Sequence, residues 1–126
     1  MKGVERLAEV FQALSDPTRL RLLNLISRGE ICVCFLVEAL REPQPKVSRH
    51  LAYLKRTGIV DTRRDGKWMH YKLSDELPDR ERSIVDQAID EVADSVPRDF
   101  SALERACCSP RAPRTLKEAP KPDWAI

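Results

Sequence analysis

The residues of this chain that could do chemistry are four cysteines arranged in two close pairs. One valine separates Cys32 from Cys34, and Cys107 is followed directly by Cys108. A thiolate binds soft metal ions, and the N-terminus of a helix stabilises the thiolate form. Because a reducing compartment keeps such cysteines as thiols, we interpret both pairs as candidates for metal binding or thiol chemistry rather than as a disulfide framework.

The apolar spacing after Cys32 predicts a short helix from about Cys32 to Leu40, so the first pair would lie at a helix start. Residues two positions apart on a regular helix point about 200° away from each other. Both sulfurs could then bind one ion only if the helix start unwinds, and we expect ion binding to distort this helix. Two thiolates without a nearby histidine favour a thiophilic ion over a four-coordinate zinc site.

The elements around the first pair are predicted to be mostly helical. Apolar residues at helical spacing predict four helices, over about 4–14, 17–28, 32–40 and 45–57. Asp16 is the expected N-cap of the second helix. The last two helices, joined by a tight proline-containing turn, have the arrangement of a helix-turn-helix, and the final helix should be held to the core by Val47, Leu51 and Leu54.

After Gly58 the apolar period changes from 3.6 to 2, which predicts two strands, over about 59–64 and 67–73. Asp65-Gly66 between them predicts a type I′ hairpin turn, which needs positive φ at both central residues. A long apolar stripe predicts one more helix over 78–96, and a short helix could follow around 100–106. The fold class is therefore mainly α with a small β-hairpin wing (α+β).

The domain organisation follows from length and composition. A chain of 126 residues is the size of one domain. We assign 1–97 to this domain and 98–126 to a C-terminal extension, which its prolines and charges predict to be largely disordered. No apolar run approaches the roughly 20 residues that span a bilayer, and the first residues lack the apolar stretch of a secretory signal. We expect a cytoplasmic protein with no membrane partner.

The charges are distributed unevenly along the chain. Residues 41–73 contain nine basic and three acidic side chains, whereas residues 74–105 contain four basic and ten acidic ones. A basic block followed by an acidic block is typical of a nucleic-acid face followed by a segment that makes no contact, although two ordinary solvated surfaces would look the same.

Several segments, taken in order, resemble the ArsR/SmtB metalloregulatory repressors over roughly residues 5–95. They are Leu14–Leu23, Glu30–Leu36, Val47–Leu54, Gly58–Val60 and Arg63–Lys67. The resemblance implies a dimeric winged helix-turn-helix, in which the first helix and the helix over 84–96 pair two subunits. Two recognition helices about one DNA turn apart would bind a twofold-symmetric operator in double-stranded DNA.

The second helix of the helix-turn-helix and the hairpin carry the candidate DNA-binding residues. Gln and Arg can pair with base edges, whereas Ser, Lys and Tyr can bond phosphates. Basic residues of the hairpin would lie near phosphates or the minor groove. The candidates are Gln44, Lys46, Ser48, Arg49, Tyr53, Arg63, Arg64 and Lys67.

The Cys-Val-Cys pattern marks the arsenic- and antimony-responsive members of the family that the chain resembles. The resemblance thus implies an operator-binding repressor, released by trivalent arsenic or antimony, that needs no cofactor. The family pattern continues to a third cysteine at a position where this chain has Val37. The ion would then be held by Cys32 and Cys34 alone, or Cys107 and Cys108 would complete the site or form a separate one.

Two other functions are weighed beside this hypothesis. One is a thiol-redox regulator of the same fold, in which either cysteine pair oxidises. The other is a small thiol enzyme. No Cys-x-x-Cys accompanies a strand-helix unit, and neither a phosphate loop nor an acid/base constellation is present in the sequence, so we do not expect an enzyme.

Overall fold

In the computed structural model, which describes residues 2–108, 116 and 118–124, the chain forms six helices and one three-stranded antiparallel sheet. The order is α1 (Lys2–Ala13), α2 (Pro17–Ile26), β1 (Ile31–Cys32), α3 (Val33–Leu40), α4 (Gln44–Arg56), β2 (Val60–Asp65), β3 (Trp68–Leu73), α5 (Asp79–Ser95) and α6 (Pro97–Cys108). The predicted helix-turn-helix is α3 and α4, and the predicted wing is β2 and β3. Within the described part, no helix has the length and apolar character needed to cross a membrane.

Local sequence accounts for the positions of α2 and α4. The carboxylate of Asp16 accepts a hydrogen bond from the backbone N–H of Arg19 at 3.0 Å, which confirms the predicted N-cap of α2 and contributes about 1 kcal/mol. The inward residues of α4, namely Val47, Leu51 and Leu54, are completely buried. The opposite face of α4 is therefore free to meet a partner.

The sheet has the strand order β1-β3-β2. In β1, Ile31 is paired with Tyr71, and Cys32 is paired with His70. Two residues are too few to show a periodicity of 2, which is why the sequence pattern assigned Cys32 to a helix. The strand joins the start of α3 directly to the wing.

The hairpin turn differs from its prediction. Asp65 is paired with Trp68, so the two-residue loop consists of Gly66 and Lys67 rather than Asp65 and Gly66. Gly66 has φ 62°, and Arg41 is the one non-glycine residue with positive φ among those described. Positive φ at the first loop position alone, with glycine there, is the pattern of a type II′ turn and excludes type I′.

Of the residues beyond α5, those that the structure describes pack against the domain. Helix α6, longer than the 100–106 segment expected, packs on α3. Arg21 of α2 donates two hydrogen bonds to Asp99, at 2.7 and 2.8 Å. Further along, Ala119 is buried, and the ring of Trp124 lies 5.2 Å from that of Phe100. The extension over 98–126 thus contains a helix, while its disorder in solution stays a prediction.

Candidate thiol centre and nucleic-acid interface

The two sulfur atoms of the first cysteine pair face each other at 2.9 Å. Cys32 has an extended backbone, with φ −68° and ψ 139°, and it immediately precedes α3, whereas Cys34 lies in the first turn of that helix. The expectation that both residues belong to a regular helix is wrong. Because Cys32 lies before the helix, both sulfurs can reach one ion without any unwinding of α3.

The close approach of the sulfurs makes one thiol acidic. The hydrogen bond between them lowers the pKa of Cys32 to about 7, helped by the backbone N–H groups of Cys34 and Met69 and opposed by burial. The same hydrogen bond, together with burial, raises the pKa of Cys34 above its usual range. The pair should therefore lose its first proton as the pH rises through about 7 and hold the remaining proton between the two sulfurs. Both sulfurs are thiols rather than members of a disulfide.

A groove of about 590 Å³ opens beside the thiol pair. Its walls are Cys32 and α3, the start of α4, the wing and Leu116. Four of the predicted DNA-binding residues line it together with Cys32 and Cys34, namely Gln44, Ser48, Arg64 and Lys67. The thiol centre and part of the predicted DNA face thus line one groove, which we call the shared groove.

The predicted recognition surface lies on the outer face of α4. Gln44, Ser48 and Arg49 are exposed. Lys46 is half-buried and donates to Glu42 at 3.2 Å. Tyr53 is also half-buried. Its ring lies beneath the guanidinium groups of two arginines, with distances of 4.4 Å for Arg19 and 5.2 Å for Arg56. These cation–π contacts hold the two arginines in place, and part of the ring stays exposed.

The candidate basic residues of the wing differ in the contacts that they make. Arg63 is exposed, but its guanidinium donates hydrogen bonds to the carboxylate of Glu30 at 2.6, 3.0 and 3.2 Å. These hydrogen bonds lower the pKa of Glu30. Arg64 is exposed and borders the shared groove, and the ammonium of Lys67 lies 4.9 Å from the ring of Trp68. Glu30 is a residue that sequence reasoning missed, because only the pairing of β1 with β3 brings it to the wing.

The second cysteine pair is in a different environment. Cys107 is buried in the last turn of α6 and is disulfide-bonded. Cys108 ends the same helix, and its side chain lies outside the described residues. A disulfide sulfur binds no ion until it is reduced. Among the described side chains, no three His, Cys, Asp or Glu residues come together as a metal site, so a third ligand beside Cys32 and Cys34 is absent from this part of the chain.

An apolar surface lies on the side of the molecule formed by α1 and α5. Val4, Leu7 and Phe11 are exposed by 61%, 43% and 53%, unusually high values for large apolar side chains on one helix face. A groove of about 510 Å³ between the helices is lined by further apolar residues, including Ile84 and Val92. Only Val85 and Ile89 of the predicted stripe on α5 are buried. We call this area the α1–α5 surface.

Comparison with known proteins agrees with this architecture. The family described as "Bacterial regulatory protein, arsR family" matches residues 16–62. An arsenical resistance operon repressor of Escherichia coli is 47% identical over 81 residues, which cover 64% of this chain and 69% of the relative. A regulator of the helix-turn-helix type from Methanocaldococcus jannaschii is 42% identical over 93 residues, or 73% of this chain and the whole of the relative. Other relatives are named as mercury or cadmium resistance regulators.

The solved structures show the same fold. The homodimeric winged helix-turn-helix DNA-binding domain of a possible ArsR-family regulator from Mycobacterium bovis superposes with a TM-score of 0.60 at 27% identity, covering 73% of this chain and 82% of that one. The helix-turn-helix and the wing of the structure indicate the same family as the matched stretch of sequence. The chain belongs to the arsR family of bacterial regulatory proteins, which are winged helix-turn-helix regulators of transcription that bind DNA.

Proposed function

We propose that this chain is a homodimeric repressor that leaves its operator when trivalent arsenic or antimony binds the thiolates of Cys32 and Cys34. The observation that carries the proposal is the shared groove, which the thiol pair lines together with four of the residues predicted to bind DNA. The E. coli relative is named an arsenical resistance operon repressor, and this name supports arsenic as the inducing ion.

The position of the thiols suggests how an ion would act on DNA binding. Cys32 belongs to the strand that is paired with the wing, and Cys34 belongs to the helix that leads into α4. An ion held by both sulfurs ties the wing to the helix-turn-helix at this point. Release follows if the tied arrangement has a lower affinity for DNA than the untied one, because a ligand shifts an equilibrium only by its differential affinity for the two states.

The α1–α5 surface supports the dimer that the proposal requires. Its exposed apolar residues belong to one helix face and continue into the half-covered stripe of α5. A second copy of the chain is the occupant that fits, since the similar domain from M. bovis is homodimeric. Twofold symmetry would place two α4 helices on two half-sites of the operator.

The deciding experiment measures DNA release by each cysteine pair. An operator is first selected from a random pool of duplexes with the purified full chain. Its binding is then followed by fluorescence anisotropy while arsenite or antimonyl is added with a phosphine reductant present. The wild type and Cys107→Ser/Cys108→Ser should release the duplex, and Cys32→Ser/Cys34→Ser should stay bound.

Two outcomes would count against the proposal. Release from Cys32→Ser/Cys34→Ser, but not from Cys107→Ser/Cys108→Ser, would move sensing to the second pair. Release by peroxide that phosphine reverses, with no response to arsenite, would favour the redox regulator. That second candidate is kept because the sulfurs lie 2.9 Å apart and the pKa of Cys32 is lowered to about 7, a suitable arrangement for oxidation.

A further inference from the structure

We propose that the thiol pair selects trivalent arsenicals that carry one carbon substituent over inorganic arsenite, and that Val37 sets this selectivity. The inference rests on the proposed function, because it names the ligand class of the same site. It follows from the number of sulfurs that the site offers and from the nature of the groove beside them.

The site provides two sulfurs, and the position three residues after the second of them holds an apolar side chain. Glu38, at the next position, also lines the shared groove but is exposed. Val37 lies three positions after Cys34 on α3, so both residues project from the same side of the helix. Val37 is half-buried and lines the shared groove together with both cysteines. No third His, Cys, Asp or Glu joins the pair within the described ranges.

Two thiols can replace both As–OH groups of a monosubstituted arsenical but only two of the three As–OH groups of arsenite. A monosubstituted arsenical, R–As(OH)₂, reacts with two thiols to give R–As(S–Cys)₂ and two waters, so two As–O bonds break, two As–S bonds form and no oxidation occurs. The carbon substituent fills the remaining valence. Arsenite, As(OH)₃, reacts in the same way but keeps one As–OH bond, and it gains a third As–S bond only where a third thiol is within reach.

The shared groove offers a place for the carbon substituent. Apolar side chains next to the sulfurs form part of its wall, including Val33, Val37, Trp68, Met69 and Leu116. Its volume of about 590 Å³ is ample, since an apolar cavity of roughly 150 Å³ is enough to hold benzene. Burial of a methyl or phenyl group against this wall adds affinity that arsenite cannot obtain.

The same placement brings the substituent to the DNA-facing side of the groove. Gln44 and Ser48, at the start of α4, line the same groove as the sulfurs. A bulky substituent on the bound arsenic would contact these side chains or displace them from positions suited to DNA. Release should therefore increase with the size of the substituent as well as with the strength of the two As–S bonds.

The test compares two probes on three proteins. Sodium arsenite and phenylarsine oxide, which hydrates to phenylarsonous acid, are titrated into operator complexes with a phosphine as the only reductant. The proteins are Cys107→Ser/Cys108→Ser, which serves as the parent, and the same chain with Val37→Cys or Val37→Ala. A short synthetic peptide with Cys-Val-Cys gives the intrinsic preference of a dithiol for each probe.

In the parent, we expect half-release at a phenylarsine oxide concentration at least tenfold below the arsenite concentration. This ratio of the two concentrations should be larger than the ratio of the affinities of the peptide for the two probes. Val37→Cys should lower the arsenite concentration for half-release at least tenfold, because it adds the third sulfur, while Val37→Ala should not. Circular dichroism and operator affinity without arsenicals show whether each variant is folded.

Three outcomes overturn the inference. The first is a preference of the parent for phenylarsine oxide over arsenite that equals the preference of the peptide. The second is a fall in the arsenite concentration for half-release that is as large in Val37→Ala as in Val37→Cys. In either case release by arsenicals still supports the proposed function. The third is a parent complex that neither probe dissociates, which overturns the proposed function and this selectivity with it.

Discussion

Arg63 and Glu30 form three hydrogen bonds, of 2.6 to 3.2 Å, between the wing and the residue that precedes β1. The carboxylate partly offsets the positive charge of the guanidinium, so a paired arginine attracts a phosphate less strongly than an unpaired one. The neighbouring Arg64 is exposed and borders the shared groove. The two adjacent arginines of the wing should therefore contribute unequally to DNA binding.

We predict that Arg64→Ala weakens DNA binding more than Arg63→Ala. Each phosphate contact contributes about 0.9 to the slope of log K against log salt, so Arg64→Ala should reduce that slope by about one unit per subunit. Arg63→Ala should change it by less than half as much, and Glu30→Gln should increase affinity by freeing Arg63. Salt titrations of the operator complex measure all three variants. Equal slopes for the two arginine variants would show that the ion pair opens on DNA.

Arg49 tests the placement of α4 in the major groove. Its side chain is exposed on the face opposite the buried residues of that helix. Arg49→Ala should cost about 1–3 kcal/mol in each half-site, which brings a dimer close to its non-specific affinity. Lys55→Ala, another exposed position on α4, is the matched control. Wild-type operator affinity in Arg49→Ala, with the fold intact, would contradict the assignment.

The pH dependence of the thiol pair is a third test. Because the hydrogen bond from Cys34 lowers the pKa of Cys32 to about 7, a protein with Cys107→Ser/Cys108→Ser should form its first thiolate with a midpoint near pH 7. The second should form above the ordinary cysteine range of about 8.5. In Cys34→Ala the first midpoint should move upward, since the donor is lost and burial remains. Thiolate ultraviolet absorbance measures each step.

Two equivalent thiols titrating together near pH 8.5 would contradict this picture. The sign for ligand binding follows from the protons exchanged. The reaction of an arsenical with two neutral thiols releases two waters and no proton, so binding takes up one proton once Cys32 is a thiolate. Affinity should therefore fall as the pH rises above about 7 and level off below it.

The ion pair between Arg21 and Asp99 should stabilise the attachment of α6. Asp99 is only 2% exposed, and its carboxylate accepts two hydrogen bonds from Arg21. Arg21→Ala leaves this charge buried without that partner and should cost about 2–4 kcal/mol in the free energy of unfolding. Arg82→Ala, which removes an exposed ion pair with Asp86, is the control and should cost less than about 1 kcal/mol.

Denaturant unfolding, with every variant at one fixed protein concentration, gives these values. An Arg21→Ala variant no less stable than Arg82→Ala would mean that α6 moves away and lets water reach Asp99.

The α1–α5 surface predicts the effect of a charge on assembly. Phe11 is 53% exposed in the single chain, so Phe11→Glu should leave the subunit folded. A carboxylate buried between two copies is unfavourable, and the variant should sediment as a monomer and bind a two-half-site operator at least tenfold more weakly. Glu9→Gln, at an exposed position on the same helix, is the control. A Phe11→Glu protein that remains dimeric would place the interface elsewhere.

The sequence pattern predicted the long elements because many residues support each of them. The inward face of α4 and the N-cap at Asp16 were correct, since both depend on neighbours close in the chain. The hairpin was predicted at the correct place, but its loop was displaced by one residue, because either Asp65-Gly66 or Gly66-Lys67 satisfies the need for a glycine.

The geometry of the thiol pair could not be predicted in the same way. Cys32 is extended because it pairs with His70, a residue 38 positions later, and such long-range pairing leaves no mark on a two-residue strand. For the same reason the sequence could not show that Glu30 holds Arg63, or that Met69 helps to lower the pKa of Cys32.

The shared groove has a consequence for the dose at which such a repressor responds. Coupling between two ligands is reciprocal, so an ion that weakens DNA binding by some factor is itself bound more weakly by that factor when DNA is present. Free dimers would then take up the first ions, and dimers on the operator would respond last. The amount of surplus repressor in a cell thus sets a threshold: more copies of the protein delay the switch without any change in its residues.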